Sequence, residues 1–387
     1  MNVYKYILIC LFGIVLFPAG CIVSFEPQGL KDTGGMLVVE GMIMESGTTI
    51  KLSRTISLYN NSSASFPGVP GARIKVIDDE NNVIAVTELQ MIDGKTIYSV
   101  PGEITFIPGT KYAIDIQIEE KHYQSAFISP VRTPEIDEIT WRKNVNGSMD
   151  IMVSTHAPDS QTEYYRWAFE EDWEIKSAAF SSLWYDIATG AIIEHNLFTS
   201  NNKYYCWASN KSKSIILGTS DRLMETTIKN KVIHNFPDNN TRFSYLYSIL
   251  VRQYGIDKDA FMYFDNLQKN IETSGSLFAP VLTEIRGNIT CLSDADEPVI
   301  GYIVATNEVA TRIFINMEDI EGEDQYGCGN TRNFTRDQFA NMFALGYNIE
   351  FYNSTAGYYV CQRVRCLDCM MRGGTKNKPD FWPNDHQ

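Results

Sequence analysis

The chain has 387 residues and a formal net charge of −14, with 21% charged and 44% hydrophobic residues. Those proportions describe a folded chain rather than a disordered one, and its length exceeds one ordinary core. The acidic balance, with no cluster of Lys and Arg, excludes a nucleic-acid binder, which needs a basic stripe to meet phosphates, and disfavours adhesion to anionic lipid.

Taken in order, the chain opens on Lys5 and an apolar run from Tyr6 to Phe17, followed by Pro18-Ala19-Gly20-Cys21. The run is shorter than the ~20 residues a membrane span needs. A short positive start, an apolar middle and small residues before a cut predict a secretory signal over residues 1–20. Ala19-Gly20-Cys21 resembles a bacterial lipobox, so Cys21 is expected to carry lipid and become the mature N-terminus. The alternative is cleavage elsewhere, a soluble periplasmic protein and an ordinary thiol at Cys21. Residues 21–35 lack any period, end in Gly34-Gly35 and read as a tether. Only Glu26 supplies acid near Cys21, so this stretch does not secure exposure at the cell surface.

Residues 36–130 carry short runs that alternate or stay apolar, with turn signals between them. These include Leu37–Met44, Thr49–Ile56, a hairpin of Ala72–Ile77 with Val83–Thr87, and Lys111–Ile118 with Tyr112, Ile114, Ile116 and Ile118 on one face. They predict an immunoglobulin-like β-sandwich. Residues 131–387 predict a larger β-rich α+β domain with two helices and a C-terminal cysteine cluster. Ile136–Trp141 and Met149–Ser154 read as a strand pair around Asn146-Gly147, and Tyr164–Phe169 alternates into the acidic Glu170-Glu171-Asp172. One helix opens at Asp257, with Phe261, Phe264, Leu267 and Ile271 expected in the core and a stop at Ser274-Gly275. A shorter helix follows Thr335 through Phe339, Met342 and Phe343 to Gly346. The fold class is therefore mainly β with a few helices.

Chemistry is sparse. No Gly-x-Ser-x-Gly elbow, P-loop, Gly-x-Gly-x-x-Gly or His-Glu-x-x-His pair occurs, so no catalytic residue, metal or cofactor is assigned and no enzyme is expected. Asp294, Asp296 and Glu297, and again Glu321, Glu323 and Asp324, could hold calcium, but they lack EF-hand spacing and read first as solvated loops. Beyond Cys10 and Cys21, six cysteines remain: Cys206, Cys291, Cys328, Cys361, Cys366 and Cys369. Cys366-Leu-Asp-Cys369 could be a redox dithiol, or half a zinc site completed by Cys361 and Cys328. An exported chain favours disulfides. The expected scheme pairs Cys206 with Cys291 and makes the other four a local C-terminal staple, without a Cys361–Cys366 bond.

Three stretches occur together: Leu37–Ile43 with Ile50–Thr55, then Tyr164–Trp173, then Gly287–Tyr302 with Cys366–Trp382. Together they resemble the Bacteroidota lipoproteins grouped as domain-of-unknown-function family 4249, across nearly all of the mature chain. The resemblance implies an outer-membrane lipoprotein held by lipid on Cys21 and encoded beside a TonB-dependent receptor. Its implied role is an accessory or ligand-binding partner in nutrient uptake, ligand unknown. Rival readings are a surface hydrolase with an unrecognised site and a structural or assembly lipoprotein of the envelope. The terminal Phe381-Trp382 is expected to pin the tail to the second domain, because a Trp buries ~200 Å².

Overall fold

The computed structural model describes residues 35–56, 67–92, 95–157, 162–197, 201–221, 226–238, 240–273, 286–316 and 328–383. The anchor segment with Cys21 and the second acidic knot, Glu321 to Asp324, lie outside them. The chain is mainly β with a few helices, as its strand patterns predict. No helix among the described residues is long and apolar enough to cross a membrane.

The first sandwich has two five-stranded sheets. One runs Val299–Thr306, Leu37–Met44, Thr49–Arg54, Lys95–Ser99, Glu88–Ile92; the other runs Ile289–Cys291, Lys121–Ser125, Tyr112–Ile118, Arg73–Asp78, Val83–Val86. Leu37, Val39, Ile50 and Leu52 from the first meet Ile74, Val76, Ile114, Ile116 and Tyr123 from the second in one core. The alternation of these residues with exposed ones along each strand is what places them there. The expected hairpin and the expected face of Tyr112, Ile114, Ile116 and Ile118 are both present.

The boundary at 130 needs refining. Two strands of this sandwich come from far downstream: Ile289–Cys291 pairs with Lys121–Ser125, and Val299–Thr306 lies parallel to Leu37–Met44. The chain leaves after Pro130, builds most of a second layer and returns. Gly301 permits the return. Its φ is +137°, and a Cβ there would stand 2.0 Å from the Val39 carbonyl oxygen, so only glycine fits.

The second sandwich packs a sheet of Thr227–Phe236, Met149–His156 and Ile136–Lys143 against one of Tyr205–Lys211, Tyr164–Lys176, Leu246–Ile256 and Glu308–Asn316. Ile151, Val153, Trp167, Phe169, Tyr247 and Ile249 form its centre. The strand pair around Asn146-Gly147 forms as predicted. Tyr164–Lys176 runs straight through the acidic residues, which are therefore part of a central strand rather than its end.

The helix Lys258–Thr273 is capped by the Asp257 carboxylate, which accepts the Ala260 amide at 2.7 Å. Its buried face is Ala260, Tyr263 and Phe264, resting on Leu217, Ile256 and Val304, so it bridges both sandwiches. Phe261 and Leu267 pack beside it, but Ile271, expected in the core, is 60% exposed. A polar seam joins the layers beneath: the Thr306 hydroxyl donates to the Gly255 carbonyl at 2.8 Å, and the Gly255 amide donates to the Thr133 hydroxyl at 2.8 Å.

A smaller C-terminal lobe holds the strands Arg332–Phe334, Tyr358–Arg363 and Tyr347–Asn353 and the short helix Phe339–Ala344. Gln338 accepts the Thr335 amide at 3.0 Å at the start, and Gly346 ends the turn with φ +76°. The tail then crosses back to the second sandwich. Trp382 is 3% exposed against Trp207 and Leu246, so it pins the tail as expected, with Arg312 over the Phe381 ring at 3.5 Å.

Candidate functional site: a lysine cleft held by a disulfide

The cysteines pair differently from the expected scheme. Cys206 bonds Cys369 and Cys328 bonds Cys366, with Cα separations of 5.6 and 6.1 Å, while Cys291 and Cys361 are buried free thiols. Cys206 and Cys291 cannot meet because they belong to separate cores, one on the second sandwich beside Ile175 and one inside the first. Cys361 points into the C-terminal lobe with its sulfur 3.3 Å from that of Met342, and burial pushes its thiol up to about 12. Only the Cys328–Cys366 bridge is the local staple foreseen. The Cys366-x-x-Cys369 pair sends its sulfurs to different partners, so it is neither a dithiol nor half a zinc site, and no metal-holding group occurs among the described residues.

Met370, next in sequence to the bridged Cys369, lines a cleft of 340 Å³ whose other walls include Trp184, Asp186, Ile193, His195, Lys203 and Lys376. Each wall has a local reason for its place. Trp184 and Ile193 face one another across the hairpin Leu183–Asp186 with Ala191–Glu194. Asp186 fastens the turn by accepting the Ala188 amide at 3.0 Å and the Thr189 hydroxyl at 2.8 Å, and Gly190 completes it with φ +70°. The ladder extends to His195, whose amide donates to the Ser182 carbonyl at 2.9 Å. Lys203 and Lys376 arrive on two segments stitched together on either side of the disulfide. The Cys369 amide donates to the Lys203 carbonyl at 2.9 Å, and Thr375 exchanges both backbone hydrogen bonds with Trp207 at 2.8 and 2.9 Å. Close contact here needs Gly374, where a Cβ would stand 2.5 Å from that of Cys206.

The charges in the cleft are unequal. The Lys203 ammonium sits 2.8 Å from the Asp368 carboxylate and 4.4 Å from the Trp184 ring centre. Lys376, half-buried, donates to the Tyr205 carbonyl and to Asn202 Oδ1, and meets no carboxylate at ion-pair distance among the described residues. Burial, opposed by Asp368 and reinforced by Lys203, brings its ammonium down to about 8. His195 is 9% exposed. Burial and then Lys203 hold its pKa below the ordinary value, so the ring is neutral. The ring bonds the Ser181 backbone, and its Nδ1 is buried with no hydrogen-bond partner. The arrangement therefore holds one cation without a carboxylate at ion-pair distance and, closed to water beneath the wall, one unfilled acceptor.

Two other polar groupings are closed. Glu171, fully buried, accepts from Asn210 at 2.7 Å, from Tyr247 at 2.9 Å and from Arg242, while Asp172 accepts from Ser209 at 2.6 Å and from Arg312 at 3.1 Å. These carboxylates have their partners and fix the register of the second sandwich. Glu297 in the first acidic knot accepts from Lys121 and from Tyr123, at 2.5 and 2.7 Å, so it ties down its loop instead of facing a cation site.

The sequence showed no sign of this cleft. Its four chemical residues are scattered from Trp184 to Lys376, and the histidines form no motif. The one readable cue is the Asp186-to-Gly190 turn, which marks a hairpin but not what it faces.

Among solved structures, the native conformation of E. coli alpha-2-macroglobulin is similar at 8% identity with a TM-score of 0.19, covering 58% of this chain and 13% of that one. The trypsin-activated form of alpha-2-macroglobulin from Escherichia coli matches at 9% identity and 0.19, covering 60% and 15%. The chain spans a small fraction of the length of either match. No curated protein matches it. The family described as Domain of unknown function (DUF4249) matches residues 24–312, most of the chain, and the protein belongs to that family.

Proposed function

We propose that this protein is a lipid-anchored outer-membrane lipoprotein that binds a small ligand and works beside a TonB-dependent receptor in nutrient uptake. The observation that carries the binding part is the cleft at Lys376 and His195. A buried acceptor without a donor costs roughly 1–3 kcal/mol unless something fills it, and this one lies near an ammonium that has no carboxylate at ion-pair distance among the described residues. The lipid part rests on Ala19-Gly20-Cys21, and the receptor part on the family resemblance. Neither a nucleophile beside a base nor a pair of open carboxylates lines the cleft, so binding is favoured over hydrolysis.

Cys21→Ser should release the protein into the soluble fraction and end incorporation of radiolabelled fatty acid. Detergent extraction of membranes bearing the wild-type protein should bring down a TonB-dependent receptor with it. Retention of the variant in the outer membrane would overturn the anchor, and an empty pull-down the partnership.

A further inference from the structure

We propose that the cleft between Trp184 and Lys376 takes a small monoanionic carboxylate bearing hydroxyl groups, the chemistry of a sugar acid. The inference deepens the binding reading above and rests on it. Four features of the site select this class together.

The first is charge. Lys203 is already neutralised by Asp368, and Asp186 stands at the rim with its oxygens engaged by its own turn. Lys376 is the lining cation with no carboxylate at ion-pair distance among the described residues, and with the Asp186 carboxylate still charged at the rim the site suits one added negative charge and not two. An ammonium has three donors, and Lys376 uses two of them, on Tyr205 and Asn202. The third is free for a carboxylate oxygen.

The second is hydrogen bonding. The His195 ring is neutral, and its unfilled Nδ1 is an acceptor that only a donor satisfies. Nδ1 is closed to water as the cleft stands, so a ligand hydroxyl fills it on a small shift of the wall that opens it, whereas a plain carboxylate or a fully ionised phosphate monoester brings no donor. The third feature is apolar wall: Ile193 is 37% exposed and Met370 42%, and both face the cleft beside Trp184. They match the C–H faces of a sugar ring better than a compact inorganic anion. The fourth is size. A cleft of 340 Å³ is at the small end of the ~300–1,000 Å³ usual for ligand sites, right for one ring and too small for a long chain.

The test is calorimetric titration of the full chain, purified in detergent, with D-glucuronate and D-galacturonate against D-glucose, acetate and inorganic phosphate at pH 7. At least one sugar acid should bind about tenfold or more tightly than glucose, acetate or phosphate, as expected for one charge-assisted hydrogen bond plus one neutral one. Lys376→Met should remove that preference. His195→Phe, which keeps the ring, should weaken the sugar acid by about tenfold while leaving acetate unchanged. Because either variant could disturb the fold, the wild-type protein gives a second readout: ¹⁵N-histidine NMR should show the His195 Nδ1 signal moving upfield as the acid is added. Equal affinity for acetate or phosphate, a preference that survives Lys376→Met, an unmoved Nδ1 signal, or no binding at millimolar sugar acid would each overturn the proposal. Failure here leaves the Cys21 and receptor experiments unaffected, so the two readings fail separately.

Discussion

The first sandwich and the C-terminal lobe are held together by different means. In the sandwich, a continuous core from Leu37 to Ala305 fills the space between two five-stranded sheets, and its one cysteine, Cys291, is an unbonded thiol. In the lobe, the buried cluster is short, Phe334, Phe339, Met342, Tyr347, Ile349 and Cys361, and the segment beyond Val364 supplies few aliphatic side chains. Two disulfides and a pinned Trp382 fasten it instead. A domain with enough apolar area needs no crosslinks, while one lying against a larger neighbour with little core of its own does. The difference has a functional side, since the lysine cleft sits on the crosslinked region, where geometry is set by covalent bonds and backbone pairing.

The largest break in this comparison should come from the long bridge. Cys206 and Cys369 are 163 residues apart, and closing so long a loop restricts the unfolded chain by about 5 kcal/mol, less whatever strain it carries. Cys206→Ser with Cys369→Ser should lower the unfolding free energy of the lobe by that order, read from a lower urea midpoint, and loosen the cleft. Reductant should do more in the wild type, because it also opens Cys328–Cys366, and in the variant it should add only the loss due to that second bridge. Alkylation in denaturant without reductant should label Cys291 and Cys361 but none of the four bridged residues. A reductant-insensitive lobe would mean that its packing alone suffices.

The matching break in the sandwich is apolar. Ile114 is fully buried between the sheets, and Ile114→Ala should cost about 3 kcal/mol through lost transfer and a residual cavity. This loss should be the same with or without reductant. If reductant changes it, the two regions are coupled more tightly than their separate cores imply.

These two regions also differ in how far they could be read from the chain alone. The sandwich strands were legible because burial on one face imposes a period of two, as Tyr112, Ile114, Ile116 and Ile118 show. Its last two strands were not assigned to it, because Ile289–Cys291 and Val299–Thr306 look like any other short apolar runs. What gives them their place is long-range pairing: Ile289–Cys291 lies antiparallel to Lys121–Ser125, and Val299–Thr306 lies parallel to Leu37–Met44, a contact made across more than 250 residues. Cysteine number pointed correctly to disulfides, but spacing could not reveal that Cys369 reaches back to Cys206 while Cys361 turns inward toward Met342. The cleft was invisible for the same reason. His195 and Lys376 come together only through tertiary structure, and an unfilled acceptor is a property of surroundings rather than of sequence.

A smaller effect probes the seam between tail and sandwich. Gly374 passes so close to the bridge that a Cβ would meet the Cys206 Cβ at 2.5 Å, with the Cys369 carbonyl oxygen and Ile175 Cδ1 each at 3.3 Å. The first contact is with an atom fixed by a disulfide, so it cannot swing away. Gly374→Ala should cost about 2 kcal/mol by overpacking. The loss should shrink in the Cys206→Ser, Cys369→Ser background, where the neighbour can move. An equal cost in both backgrounds would place the strain in the backbone of the tail instead.

The smallest effect is a slope with pH, and it sharpens the contrast at a single group. Folding lowers the Lys376 pKa from the usual lysine value of 10.5 to about 8. Below about pH 8 both states hold the proton, and the folded protein bears the full cost of a half-buried ammonium. Between about 8 and 10.5 the unfolded chain still binds the proton while the folded one gives it up, so this group's contribution to stability rises with pH. The groups that face it are Lys203, Asp368 and His195, with Tyr205 alongside; burial holds the Tyr205 hydroxyl above its ordinary range. Tyrosines with raised values pull total stability the other way above about pH 10, so the quantity to follow is a difference. The stability of the wild type minus that of Lys376→Met should climb between pH 7.5 and about 10 and then level off. The first sandwich, followed by an Ile114→Ala difference, should stay flat over the same range. A flat Lys376 difference would mean that the ammonium is already compensated in the unliganded protein, and the cleft would then have no charge left to offer.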